Sequence, residues 1–504
     1  VDEVRIRKIR SSLLEASTAT RLTILLGVVA SLGAVAGLFS SYLPLKIGIG
    51  VIVGIALFIL IYRNLQFGII LFFILNLTIP QAGPGLDLGI KAPVVGERGI
   101  HFNLHEIAMA MVLVAWLIQV FLKKASWREK SPMTISIIFY VLVSILSCFV
   151  GLLHGAIIWL VLFRFFRTAL FAYMFFVVLN NVRTRRHFQQ LVIALLICAS
   201  LVAAFGLVQK VLGQKWSEKV AKEVFGDLLG YSEDVNIVAG AGPTQVYRIN
   251  STFLHPNTLG GYLVFALPFF ISLLWHYRRW WMRLLLLMGL GMNLACLFYT
   301  GSRAAWIAAG CIILIYGALG IFDRRMVLAV ATALMILVLI VVIFKPPEFL
   351  KQRFVSQSAK EATTGRLTQY RLALDFFMEH PIFGLGMGME GQRIVENNIR
   401  KTWAAVENVY LTYLVSEGLL GLASFLLILI FYWAMLLWAR NNSRDDDFIC
   451  FNAEAFMLGM IGFAIPNLFG AWLLFAAPMI SLFWFFLGMG GSLYNLFREE
   501  KEGW

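Results

Sequence analysis

Residues 135–152 read Ile135-Ser136-Ile137-Ile138-Phe139-Tyr140-Val141-Leu142-Val143-Ser144-Ile145-Leu146-Ser147-Cys148-Phe149-Val150-Gly151-Leu152, an apolar run without a charge. A helix that crosses a bilayer needs roughly 20 predominantly apolar residues, and this run with its flanks, 132–152, satisfies that length. Runs of the same kind recur at 22–40, 45–62, 66–80, 105–122, 157–179, 188–211, 258–275, 284–299, 304–322, 327–344, 408–438, 451–470 and 477–497. The sequence therefore predicts an all-α, polytopic helical membrane protein with about 14 transmembrane helices, a single integral membrane domain over 1–504. Composition agrees, since 60% of the 504 residues are hydrophobic and 14% are charged, which excludes an ordinary soluble domain.

Val1 to Arg10 is polar and basic, so no cleaved signal peptide is read there, and the first apolar run is expected to remain as a helix. The net charge of +14 comes from short clusters between apolar runs, not from one stripe, which argues against a nucleic-acid partner. Orientation explains it better. The loops with Lys123-Lys124 and Arg128, Arg183 with Arg185-Arg186, Arg278-Arg279 with Arg283, Arg324-Arg325, and Arg440 with Arg444 all fall on one side. By the positive-inside rule that side is cytoplasmic, as are both termini. Five cysteines, all in or beside apolar runs, have no metal-ligand spacing, so neither a disulfide framework nor a metal site is expected.

The opposite face has three longer connections, 81–104, an external loop at 212–257 and a large external loop at 345–407; loops of that length usually carry function. Within the last, Leu367, Tyr370, Leu374 and Phe377 recur at helical spacing, and His380-Pro381 ends the helix they predict. The apolar run 408–438 is about 46 Å long at 1.5 Å per residue, against a hydrocarbon core of about 30 Å. Such a helix must tilt, break or project.

Charged residues inside spans are expensive and normally face a cavity or a partner. Arg164 and Arg167 lie one turn apart in the sixth run: two guanidinium groups fit a diphosphate, and a structural ion pair, for instance with Glu417, fits equally. Arg248 precedes Asn250-Ser251-Thr252-Phe253-Leu254-His255-Pro256-Asn257, where Asn257 and Pro256 suit a helix start and His255 also suits a base. Arg303 follows Gly301-Ser302 between two spans, Arg366 opens the amphipathic segment, and Glu407-Asn408 stands nine residues before Gly418-Leu419-Leu420-Gly421.

These elements, spread over roughly 160–440, resemble the O-antigen ligase and polymerase superfamily. Its ligases show His-Asn, nine residues, then Gly-x-x-Gly; here glutamate stands in the histidine position. Its Gly-Arg and Pro-x-x-Gly-x-Gly elements match Gly365-Arg366 and Pro381 to Gly386, the latter read as a flexible turn. The resemblance implies a C-type glycosyltransferase-like fold and a glycan donor on undecaprenyl diphosphate, used at the outer face of the cytoplasmic membrane together with a glycan acceptor. Arg164, Arg167, Arg248, Arg303 and Arg366 would hold the diphosphate; Glu407, or failing it His255, would deprotonate the acceptor, without metal or other cofactor. Glutamate in the histidine position favours a polymerase of O-antigen, capsule or exopolysaccharide units over a ligase to lipid A-core. A membrane transporter is the rival of another class, disfavoured by the lack of an inverted repeat.

Overall fold

The computed structural model describes residues 45–78, 85–91, 99–122, 131–220, 248–253, 255–277, 279–320, 335, 357–389, 406–443, 445–470 and 477–502. The chain forms two compact units, residues 1–68 and 69–504. In the first, α1 (Leu45–Arg63) ends at Asn64, whose Oδ1 accepts from the Phe67 amide at 3.0 Å and caps the helix that follows, α2 (Leu65–Thr78).

The remaining helices are α3 (Leu104–Phe121), α4 (Met133–Leu153), α5 (Ile158–Asn181), α6 (Arg185–Leu212), the short α7 (Gln214–Val220), α8 (Pro256–His276), α9 (Trp280–Thr300) and α10 (Arg303–Gly320). After them come α11 (Gln357–Glu379), α12 (Val409–Asn442), α13 (Asp447–Ala464), a 3-10 turn (Pro466–Leu468) and α14 (Ala477–Glu502). Among the described residues nine helices are long and apolar enough to cross a membrane, and three shorter apolar stretches accompany them. The chain is an all-α polytopic membrane protein. Twelve of the expected spans coincide with these helices; 22–40, and 327–344 apart from Met335, lie outside the described residues.

Helices α8, α13 and α14 form the centre: 83%, 72% and 89% of their apolar windows are buried, against 39–50% for the other six. Their sequences are apolar all round, as a helix enclosed by others must be. Phe265, Phe269, Phe456 and Phe486 interlock there, the Phe265 and Phe486 rings 4.1 Å apart. At one end of the bundle Arg185 donates to both Asp446 and Glu500 over the Phe448 ring, and Arg440 pairs with buried Glu454 at 2.7 Å. The functional residues gather at the other end.

Within the expected 81–104 connection lies an antiparallel ribbon, β1 (Gly85–Lys91) with β2 (Gly99–Asn103), in register Gly85 with Asn103 and Asp87 with His101. Its signal is the alternation in Leu86-Asp87-Leu88-Gly89-Ile90, too short to register in a search for long apolar runs.

The long helix breaks. Gly418 in α12 has φ 67° and ψ −160°, outside the helical region, so the carbonyls and amides flanking it lose their intrahelical partners. The segment after α11 supplies new ones. Val415 O accepts from the Leu385 amide at 2.8 Å and Ser416 O from the Gly386 amide at 2.9 Å, while the Leu419 amide donates to Pro381 O at 2.9 Å. Met387 N donates to Ser147 O at 3.0 Å and His154 Nδ1 to Leu385 O at 2.7 Å, which fastens the same segment to α4. Pro381 to Gly386 is thus not the flexible turn that its glycines suggest. Gly384 to Met389 is buried, and the backbones approach so closely that only glycine fits. A Cβ on Gly386, at φ 93°, would lie 2.0 Å from Gly151 N, and one on Gly418 2.3 Å from Ile382 O.

Gly386→Ala should therefore unfold well below wild type in detergent, since a strained backbone costs about 1–3 kcal/mol before the clash with Gly151 is added. A methyl group on Gly310 of α10 would meet nothing within 4 Å, and Gly310→Ala should leave the thermal midpoint unchanged or raise it. Equal midpoints for the two variants would contradict the interlocked turn.

Candidate active site

Helix α11 reaches the site because its C-terminal end is fixed by the turn at Pro381. Its inward stripe is Arg366, Gln369, Tyr370, Ala373 and Phe376, at the i, i+3, i+4, i+7 and i+10 positions of one face. Leu367 and Leu374, two of the apolar residues that recur at helical spacing, lie off this stripe and are 54% and 46% exposed. Polar contacts decide the rotation. Ala373 and Phe376 pack with Ala156, Val161, Leu385, Met389, Val406 and Val415, and the polar part of the stripe then falls on Glu407.

Glu407 is held at three points. The Arg366 guanidinium donates from Nε to its carboxylate, Gln369 Oε1 accepts from its amide at 3.2 Å, and the Tyr370 hydroxyl lies 3.0 Å from its carbonyl and from that of Leu468. Burial pushes the Tyr370 hydroxyl above its ordinary pKa, so it stays a donor. Asn408 Oδ1 accepts from the Leu411 amide at 3.1 Å and caps α12, which sets Glu407 immediately before the helix start. The Glu407 side chain remains 33% exposed and that of Arg366 23%. A carboxylate at a helix start, partly open to solvent and beside a cation, can accept a proton from a substrate hydroxyl once the cation turns elsewhere.

Arg303 is the first residue of α10, after left-handed Gly301. Its guanidinium is near enough to that of Arg366 for the two charges to repel. Like charges brought together on separate elements mark a place for an anion. The same turn carries Arg248: its Nε donates to Thr300 O at 2.7 Å and its Nη2 to Asn257 Oδ1 at 2.6 Å. Asn257 is thus occupied by Arg248, and the cap of α8 is His255, whose Nδ1 accepts from the Asn257 amide at 3.1 Å. A ring nitrogen engaged as a cap is withdrawn from proton transfer.

Arg167 has a partner of its own. Arg167 Nε donates to Glu106 Oε1 on α3 at 2.6 Å, and Glu106 is 1% exposed, so the ion pair expected with Glu417 is made with Glu106 instead. Glu417 is buried beside the break in α12, its Oε2 without a hydrogen bond. Arg164 and Arg167 repel each other, and Val161, one turn before Arg164, belongs to the apolar cluster under Glu407. The structure therefore brings Arg303, Arg366 and Glu407 together, ties Arg248 and His255 to the adjoining turn, and assigns Arg167 a structural partner. Glu106, Gln369 and Tyr370 are the residues that sequence reasoning misses. An acid within a span signals a partner, and Gln369 and Tyr370 sit one turn from Arg366.

Residues 288–426 match the family model of O-antigen ligase. The matched stretch contains Arg303, Arg366, Glu407 and both glycines of the Gly418-x-x-Gly421 element, and leaves out Arg164, Arg167, Arg248 and His255. No curated protein matches the chain. The resemblance to the O-antigen ligase and polymerase superfamily thus rests on the part of the chain that builds the Arg303, Arg366 and Glu407 group.

Removing one partner of a buried ion pair leaves an uncompensated charge, at a cost of about 3–5 kcal/mol. Glu106→Gln should accordingly lower the thermal midpoint strongly, and Glu106→Leu with Arg167→Met should restore most of it. A double variant no better than the single one would show that Arg167 is held by something other than Glu106.

Proposed function

We propose that the protein is an inverting, metal-independent glycosyltransferase that polymerises glycan repeat units carried on undecaprenyl diphosphate at the outer face of the cytoplasmic membrane. The match of residues 288–426 to the O-antigen ligase family supports a ligase or polymerase type of activity. The observation that carries the finer reading is the Arg366–Glu407 contact, with Arg303 alongside, at the mouth of a broken helix. In this reading the diphosphate displaces Glu407 as the partner of Arg366, because two phosphates with their several oxygens suit a guanidinium fork better than one carboxylate oxygen does. The released Glu407 takes the proton of the acceptor hydroxyl. That oxygen attacks the anomeric carbon of the donor from the side opposite the leaving group, the bond to the diphosphate oxygen breaks, and the configuration inverts. Arg303 and Arg366 stabilise the charge that develops on the departing diphosphate. Arg248 supports the turn that holds Arg303, and Arg164 serves the donor from below, one turn beneath Val161.

Short basic loops on the Arg185 and Arg440 side support a cytoplasmic assignment for that end, and with it an outer-facing site. Ligation to lipid A-core is the second reading, favoured by the family's own description as a ligase; glutamate in the histidine position is what inclines us to the polymerase. Both use the same site, with membrane lipids as further partners.

Glu407→Gln should keep donor binding and lose transfer on the order of 100-fold, the usual scale for a missing acid–base group. Glu407→His should retain part of the rate. The assay is transfer between lipid-linked glycans by purified protein in liposomes with saturating donor. An unchanged rate in the Gln variant would remove Glu407 from the chemistry and turn attention to His255, whereas solute uptake without transfer would support a carrier.

A further inference from the structure

Gln369 is 4% exposed, and its side-chain nitrogen is buried without a hydrogen-bond partner. Its orientation is fixed by its neighbour. The Glu407 amide can only donate, so the oxygen of the Gln369 carboxamide must face it and the NH2 group must turn away. A donor left in this state is costly, and native proteins tolerate it chiefly where a ligand or water completes it. It lies on the stripe that carries Arg366 and Tyr370, one residue from the contact that fixes Glu407.

We propose that Gln369 is an acceptor-binding residue, its carboxamide donating a hydrogen bond to a hydroxyl or ring oxygen of the acceptor sugar beside the hydroxyl that Glu407 deprotonates. The inference rests on the transferase reading and adds to it the group that selects the acceptor. Charge divides the work: Arg303 and Arg366 suit a dianionic diphosphate, whereas a neutral amide donor suits a sugar oxygen and gains nothing special from phosphate. Glu407 and Arg366 beside it are partly exposed, and in the transferase reading Arg366 turns to the diphosphate when donor binds, which opens the place to the acceptor. A buried amide that a sugar oxygen must satisfy discriminates strongly, because an acceptor without that oxygen leaves the donor unpaired.

Two substitutions separate the possibilities. Gln369→Glu keeps an oxygen for the Glu407 amide but replaces the donor and adds a charge; Gln369→Met adds no charge but loses both polar atoms. The loss common to both is the donor. With wild type and both variants in liposomes, donor saturating and acceptor varied, acceptor KM should rise about tenfold in each, the size of one hydrogen bond. Donor KM in the Met variant should stay near wild type, while its thermal midpoint falls modestly because the Glu407 amide loses its acceptor. An unchanged acceptor KM in the Met variant, with robust wild-type transfer, overturns the proposal and assigns the amide to water. A rise in donor KM in place of acceptor KM overturns it in favour of a diphosphate contact. Wild-type protein that transfers no glycan overturns the transferase reading, and this inference with it.

Discussion

Everything at the active end depends on one unsatisfied stretch of backbone. A helix of 34 residues that abandons helical geometry at Gly418 leaves amides and carbonyls without partners in a medium that offers none. The Pro381 to Met387 segment meets that demand, and by doing so it becomes a fixed point. Helix α11 ends there and cannot rotate freely. Its inward stripe must therefore lie along the chain that enters α12, which is where Glu407 stands. The glycines at 151, 384, 386 and 418 allow the approach of three backbones; the polar side chains at 366, 369 and 370 use it.

The second constraint is electrostatic. A low-dielectric surround makes isolated charges costly, and three of the protein's ion pairs answer this in two different ways. Glu106 with Arg167, and Glu454 with Arg440, are closed pairs in which the acid is almost wholly buried. Arg366 with Glu407 is open on both partners, and Arg303 adds a further positive charge next to it. A closed pair holds helices together. An open pair with excess positive charge is suited to exchange its carboxylate for a stronger anion, and this is the basis for reading it as a donor site with a shielded base.

Much of this is legible in the sequence. Apolar runs of the right length locate the described helices within a few residues, because hydrophobic length is a direct demand of the bilayer, and His380-Pro381 marks the end of α11 correctly. The excess length of the 408–438 run implies that it must tilt, break or project, but not that it breaks at Gly418. That outcome depends on carbonyl and amide partners 30 or more residues away, and no local pattern records them. Arg303, Arg366 and Glu407 emerge from motif spacing, whereas their convergence is a tertiary fact. Arg167 is legible as a residue in need of a partner, but the partner's identity is not, since any acid in the membrane would serve. Helical spacing locates α11 but does not say which of its faces turns inward, since that is set by the contacts of Arg366, Gln369 and Tyr370 with Glu407, which is distant in the sequence.

The central claim is that a lipid diphosphate and Glu407 compete for Arg366. A structure of the full chain in a lipid nanodisc with an undecaprenyl-diphosphate-linked glycan bound tests it most directly. The account predicts both Arg303 and Arg366 on phosphate oxygens, with the Glu407 carboxylate released and facing the space beside the anomeric carbon. An intact Arg366–Glu407 pair with the diphosphate held elsewhere, for instance by Arg164 alone, would contradict it.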